Sequence, residues 1–171
     1  LEYIKYEHIY ENMINKYDCE KIYEENIDVD CDILTGIRIS YVNDPVGCLR
    51  TLFERGKIDR DAVYYGVLLA ERIALNGYLN CLKYAKENGC PWDERTCASA
   101  AQGGHLDCLR YLHGNGCPWD WKVCSSAAGN GHLDCLKYAR ENGCEWDDWV
   151  CSDATKNGHL NCLKYAHENG C

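Results

Sequence analysis

The sequence lacks an excess of positive charge: 27 Asp and Glu stand against 18 Lys and Arg, for a net charge of −9. Such a balance offers no basic footprint, so neither nucleic acid nor an anionic membrane is expected as a partner. It also lacks any apolar run near the roughly 18 residues of a membrane-crossing helix. The first residues, LEYIKYEHIYENM, are charged and aromatic, unlike a secretory leader. No Asn-x-Ser/Thr acceptor, P-loop, G-x-G-x-x-G or G-x-S-x-G element occurs. There is also no pair of cysteines two to four residues apart, the usual chelate of structural zinc. With 46% hydrophobic content, 171 residues suffice for a continuous core, which excludes a disordered chain.

Cysteine, by contrast, is abundant, with 14 residues. Disulfide scaffolds of that density are short, secreted and loop-rich, whereas this chain is long and helical in pattern. Free thiols in a reducing compartment, cytoplasm or nucleus, are the expectation. The cysteines are also in register. Cys81, Cys108, Cys135 and Cys162 are spaced by 27, as are Cys90, Cys117, Cys144 and Cys171, and Cys97, Cys124 and Cys151 keep the same step. Segments beginning at Asn76, Gly103, Asn130 and Asn157 repeat one phrase, as in NGHLDCLKYARENGC. A fixed period of this length marks a stacked repeat array.

Within a unit, Leu79, Leu82 and Ala85, beside Cys81 and Tyr84, have the spacing of an amphipathic helix, ended by Asn88-Gly89. Cys90-Pro91-Trp92-Asp93 is then a short connection. Asp93 caps a small-residue helix over Arg95–Gln102, and Asp120 and Asp147 repeat that role. Each unit is a helix-turn-helix pair that buries its apolar face only by stacking. The period loosens toward the N-terminus. Residues 76–171 hold the regular units, 43–75 a diverged longer one with a loop around Ile58–Tyr65, and 1–42 a degenerate unit or cap. An opening without Met and a stop in mid-pattern predict that the protein continues beyond residue 171.

These motifs resemble ankyrin repeats, specifically the shortened, cysteine-rich variety of large DNA viruses and some protists. Gly131–Cys144, GHLDCLKYARENGC, is similar to that family's G-H-x-x-[IV]-[IV]-x-x-L-[LI]-x-x-G-A segment. The first half departs: Arg95-Thr96-Cys97-Ala98-Ser99-Ala100-Ala101 stands where the family has T-P-L-H-x-A-A. Each unit is also about six residues short of the usual 33. The resemblance implies an all-α, ankyrin-like solenoid with shortened or absent β-hairpin fingers, and a protein partner. A viral origin would add a host cell or a virion to the compartments.

The cysteines stand where the family places Val, Ile, Ala or Leu, so packing is their expected role. The expected core is Cys81, Leu82, Cys97, Cys108, Leu109, Cys124, Cys135, Leu136, Cys151, Cys162 and Leu163, with Trp92, Trp119 and Trp146 in the connection column. Stacked helices lie too far apart for disulfides within one column; bridges between different columns stay open. Cys90, Cys117 and Cys144, just past a helix end, are the expected exposed set. His105, His132 and His159 brace the repeat turn rather than bind zinc. Lys83, Arg110, Lys137 and Lys164 precede Glu87, Glu141 and Glu168 on a solvated, charge-paired face.

Catalytic groups form a single constellation, whereas these His, Asp and Cys recur in columns. No catalytic residue, metal, cofactor or small-molecule substrate is expected. Specificity then falls to the positions that do not repeat: Glu94, Arg95, Trp121, Lys122, Ser125, Asp148, Trp149, Ser152 and Asp153. The resemblance places them on a concave face, with Trp121 and Trp149 as anchors. The favoured reading is a non-enzymatic protein-interaction module. The alternatives are a component of a larger assembly such as a virion, and a thiol- or zinc-dependent sensor.

Overall fold

Residues 45–54, 63–64, 67–146 and 148–171 are described by a computed structural model of the chain, which divides into the units Leu1–Asp59 and Arg60–Cys171. The expected N-terminal unit, residues 1–42, lies outside the described residues. The first unit contributes helix α1, Pro45–Glu54, with proline at its first position, where a missing N–H costs nothing.

The second unit begins with β1, Val63–Tyr64, and β2, Val67–Leu68, an antiparallel hairpin pairing Val63 with Leu68 and Tyr64 with Val67. It leads into α2, Leu69–Leu75, and α3, Leu79–Glu87. Three further helix pairs follow: α4, Glu94–Gln102, with α5, Leu106–Gly114; α6, Lys122–Gly129, with α7, Leu133–Glu141; and α8, Asp148–Lys156, with α9, Leu160–Glu168. The hairpin occupies the longer interval, while the connections before α4 and α6 are irregular chain. A β finger thus survives once among the described residues.

The helices of the second unit end alike because glycine alone enters the left-handed region freely. After α3 the chain passes through Gly89 at φ 79°, the Cys90 amide donates to the Ala85 carbonyl at 2.9 Å, and the Gly89 amide donates to Lys86 at 3.0 Å. This is the paired six-residue and four-residue closure of a Schellman turn. The Asn88 side chain adds a bond to the Tyr84 carbonyl at 2.8 Å, repeated by Asn115, Asn142 and Asn169. The first helices close the same way: the His105 amide reaches Ala100 at 2.9 Å past Gly104 at φ 74°.

This closure folds the residue after the glycine back onto the helix, toward the core. Cys90, Cys117 and Cys144 are therefore 4%, 4% and 2% exposed, which corrects their placement as an accessible set. At the other turn the inward residue is histidine. The His105 ring fills the space beside Gly77 of the preceding unit and hydrogen-bonds the Leu75 carbonyl, while His132 and His159 pack against Gly104 and Gly131.

First helices stack on first helices, α2 through α4 and α6 to α8, and second helices meet at fewer points. Alanine and cysteine permit the close approach: Cys97, Ala100, Ala101, Cys124, Ala127 and Ala128 are fully buried. Leu82, Leu109 and Leu136 fill the space between the layers, each worth about 2 kcal/mol of apolar burial. Cys81, Cys108, Cys135 and Cys162 are buried beside them. Cys151 and Leu163 are only half-buried, unlike their equivalents, because no unit stacks on α8 and α9 among the described residues.

Trp92, Trp119 and Trp146 are half-buried too, a correction to their assignment to the core. Each lies over the end of the preceding second helix under a cation or ring: Lys86 is 3.8 Å above Trp92, Arg140 is 4.9 Å from Trp146, and His113 stacks on Trp119 at 3.8 Å. The basic column is likewise not paired with glutamate as expected. Lys83, Arg110 and Lys137 sit over Tyr111, Tyr138 and Tyr165 of the next unit, at 5.8, 5.5 and 5.7 Å. Lys164, with no described unit beyond it, turns to Glu168 at 3.9 Å.

The turn glycines give a comparison. Gly104→Ala would force alanine to φ 74° and drive its Cβ into the His132 ring, whereas Gly158, at φ 77°, has open space around it. In urea unfolding followed by helical circular dichroism, Gly158→Ala should cost about 1 to 2 kcal/mol. Gly104→Ala should cost a further 1 to 3 kcal/mol or so for overpacking. Equal losses would mean that the histidine brace carries no energy.

Candidate functional site

The positions that escape the repeat gather at the starts of the first helices and in the turns before them. Asp93 sets the local geometry: its carboxylate accepts from the Arg95 amide at 3.0 Å and its amide donates to the Thr96 hydroxyl at 3.2 Å. Those bonds satisfy two of the orphan groups at the helix start. Asp120 repeats the first bond with the Lys122 amide at 3.0 Å. Asp147 lies outside the described residues.

Arg95 is anchored on both sides. Its guanidinium donates to the Asp93 carboxylate through Nε at 3.0 Å and Nη2 at 2.9 Å, and lies 3.3 Å from Glu71. Glu71 is 5% exposed and accepts from the Leu68 amide at 3.3 Å. Burial pushes its carboxyl up despite that bond and Arg95, so desolvation outweighs pairing at this site. Lys122 holds Asp120 at 3.3 Å and passes 5.8 Å from the Trp121 ring.

Trp121 and Trp149 are 39% and 59% exposed, both large for tryptophan. Glu94 and Asp153 are half-buried and Ser152 is exposed. Asp148 opens α8. Ser125 does not belong with them: it is 7% exposed and its hydroxyl donates to the Lys122 carbonyl at 3.3 Å, so it bonds back to its own helix. Thr96, Val123 and Val150, adjacent in the variable stretch, also point inward.

Beside Trp121 the turns of two successive units enclose a cavity of about 330 Å³, lined by Trp119, Asp120, Trp121, Gly143, Cys144 and Glu145. Two tryptophans and two acidic residues among that lining suit a cationic group. The sequence pattern named Trp121 but missed this hollow, because Asp120 and Glu145 belong to the connection column and come together only when units stack.

Among the described residues no group of three or more His, Cys, Asp or Glu is placed to hold a metal ion, and no helix is long and apolar enough to cross a membrane. Nine described cysteines are outside any disulfide, while Cys151 and Cys171, from different columns, are joined as a disulfide. That bond departs from the expectation of thiols throughout. Burial pushes the Cys108 and Cys135 thiols up to about 11.

No family model matches the chain, and no curated protein matches it. Among solved structures it is similar to the crystal structure of the human ASB11 ankyrin repeat domain, with a TM-score of 0.61 and 20% identity. The alignment covers 73% of this chain and 64% of that one, so the chain spans less than two thirds of the domain it matches. The fold is thus an ankyrin-like helical solenoid.

The thiol values imply a pH profile. At pH 8 a thiol with a pKa near 11 carries about a hundredfold less thiolate than one at 9.0. Alkylation of Cys108 and Cys135 by iodoacetamide in the folded protein should be slower than in urea by at least that factor. The folded rate should rise as pH climbs toward 11. A folded rate at pH 8 equal to the unfolded rate would show the thiols to be neither buried nor shifted.

Proposed function

We propose that the array is a non-enzymatic scaffold for protein–protein interaction, engaging a protein partner along the edge made by the first-helix starts and the turns before them. The observation that carries this reading is the exposure of Trp121 and Trp149 at positions the repeat leaves free, one of them walling the aromatic and acidic hollow. Tryptophan is costly to leave in water and is enriched among residues that dominate binding energy. The similarity of fold to an ankyrin repeat domain supports a scaffold role in general.

The hollow indicates what part of a partner it takes. A lysine or arginine side chain would lie among Trp119, Trp121, Asp120 and Glu145. Arg95 and Lys122, already held by Asp93, Glu71 and Asp120, frame that edge as fixed features and lose little side-chain freedom on binding.

The test is affinity capture from the native source, comparing the intact chain with a Trp121→Ala/Trp149→Ala pair whose helical content is first shown to be unchanged. The intact chain should retain a protein that the double variant loses, with affinity reduced by at least about thirtyfold for two anchors of 1 kcal/mol or more each. Equal capture by both would remove this edge from recognition.

A further inference from the structure

Three cysteine pairs, Cys97 with Cys117, Cys124 with Cys144 and Cys151 with Cys171, occupy one place in successive units. The first member lies on α4, α6 or α8, and the second follows the glycine that ends α5, α7 or α9, buried at Cys117 and Cys144 and exposed at Cys171. In the third pair the sulfurs are joined, with Cα atoms 6.4 Å apart across 20 residues of sequence. That separation is within the reach of a disulfide. The other two pairs share the elements and the 20-residue offset, and their side chains already contact each other, yet none of the four is in a disulfide. Cys81, Cys108 and Cys135 sit on second helices outside this register, and Cys90 falls opposite Ala70, which carries no sulfur.

The turn cysteine of each pair has a second partner. The Cys117 thiol donates to the Asp93 carbonyl at 3.3 Å, and the Cys144 thiol donates to the Asp120 carbonyl at 3.3 Å. Each S–H therefore ties its own turn to the turn of the preceding unit. Within the pairs, the hydrogen bond with Cys117, together with burial, raises Cys97, while the hydrogen bond from Cys124 lowers Cys144 against the effect of burial. Two thiols in contact are suited to exchange, in which one sulfur is attacked and its neighbour resolves the intermediate.

We propose that Cys97–Cys117 and Cys124–Cys144 are redox-active dithiols that close by exchange with a low-molecular-mass disulfide such as glutathione disulfide, and that closure frees each turn from the unit before it. In the first step the turn thiolate attacks the small disulfide, whose S–S bond breaks as a mixed disulfide forms and one small thiol leaves. In the second, the helix cysteine attacks the turn sulfur and displaces the other small thiol. Two electrons pass from the dithiol to the small disulfide, and both cysteine protons end on the two released thiols. The hydrogen that bound the Asp93 or Asp120 carbonyl is then gone. The turn that bears Trp119 and Trp121 exchanges its tie to the preceding unit for a covalent tie to α4 of its own unit. Because Cys117 and Cys144 are 4% and 2% exposed, exchange proceeds through opening of the turn and reports the standing redox balance rather than brief pulses.

The test is made on the folded 171-residue chain, equilibrated in glutathione mixtures from fully reduced to a large excess of the disulfide. Samples are acid-quenched, alkylated with N-ethylmaleimide and mapped by non-reducing proteolysis and mass spectrometry. The expected links are 97–117 and 124–144, formed and undone as the ratio is changed, with Cys81, Cys108 and Cys135 alkylated throughout. Hydrogen exchange of the amides at 117–121 should quicken by tenfold or more on oxidation. Cys97→Ser should hold a mixed disulfide on Cys117 and leave the 124–144 link intact. If that variant fails to fold, the unmodified chain still decides the matter. Four alkylated thiols at the highest disulfide excess, or indiscriminate links to the second-helix cysteines, would overturn the proposal. Correct links with unchanged exchange at 117–121 would overturn the release of the turn.

Discussion

The backbone closure that ends each long helix governs what surrounds it. Two hydrogen bonds wrapped around a left-handed glycine use up orphan carbonyls and reverse the chain in a few residues, so a nine-residue helix can be followed at once by another. The residue after the glycine is sent inward, and its chemistry must suit that burial. After second helices it is a small thiol. After first helices it is a flat ring, His105, His132 or His159, whose reach extends into the turn of the preceding unit. Close stacking of the alanine- and cysteine-bearing first helices depends on this repeated entry angle, and so does the irregular connection that takes the place of a finger.

Much of that arrangement is legible in the amino-acid order because it is local. The period, the glycine stops, the Asp93 and Asp120 caps, the bracing histidines and the buried Leu82, Leu109 and Leu136 all follow from residue type and spacing within one unit. What escapes the reading depends on neighbours. Cys90 looks exposed because it lies past a helix end, and only the backbone closure reveals the fold-back. Lys83 is placed for Glu87 by helix spacing, but the ring of Tyr111 on the next helix competes successfully for it. Ser125 stands in a variable column and yet turns to its own helix backbone. The hollow beside Trp121 requires knowing which columns meet when units stack, and the joining of Cys151 to Cys171 requires knowing which columns meet within one helix pair.

The same layering separates tasks. The inner stack is committed to small side chains and tolerates little change in volume, whereas the edge of turns and helix starts is held from beneath by capping bonds and can vary above them. Arg95 illustrates the division: its anchors belong to the fold, and its outward face remains accessible. Since the turn cysteines lie under that edge, the cysteine-lined core and the variable edge are joined through one short segment of backbone.

The histidine brace also bears on how such a chain can change in length. Each ring fills a notch in the unit before it and leaves a notch for the unit after it, so gain or loss of a whole period by unequal crossing-over leaves no ring stranded and no notch vacant. Copy number can therefore change by whole periods without disturbing the brace.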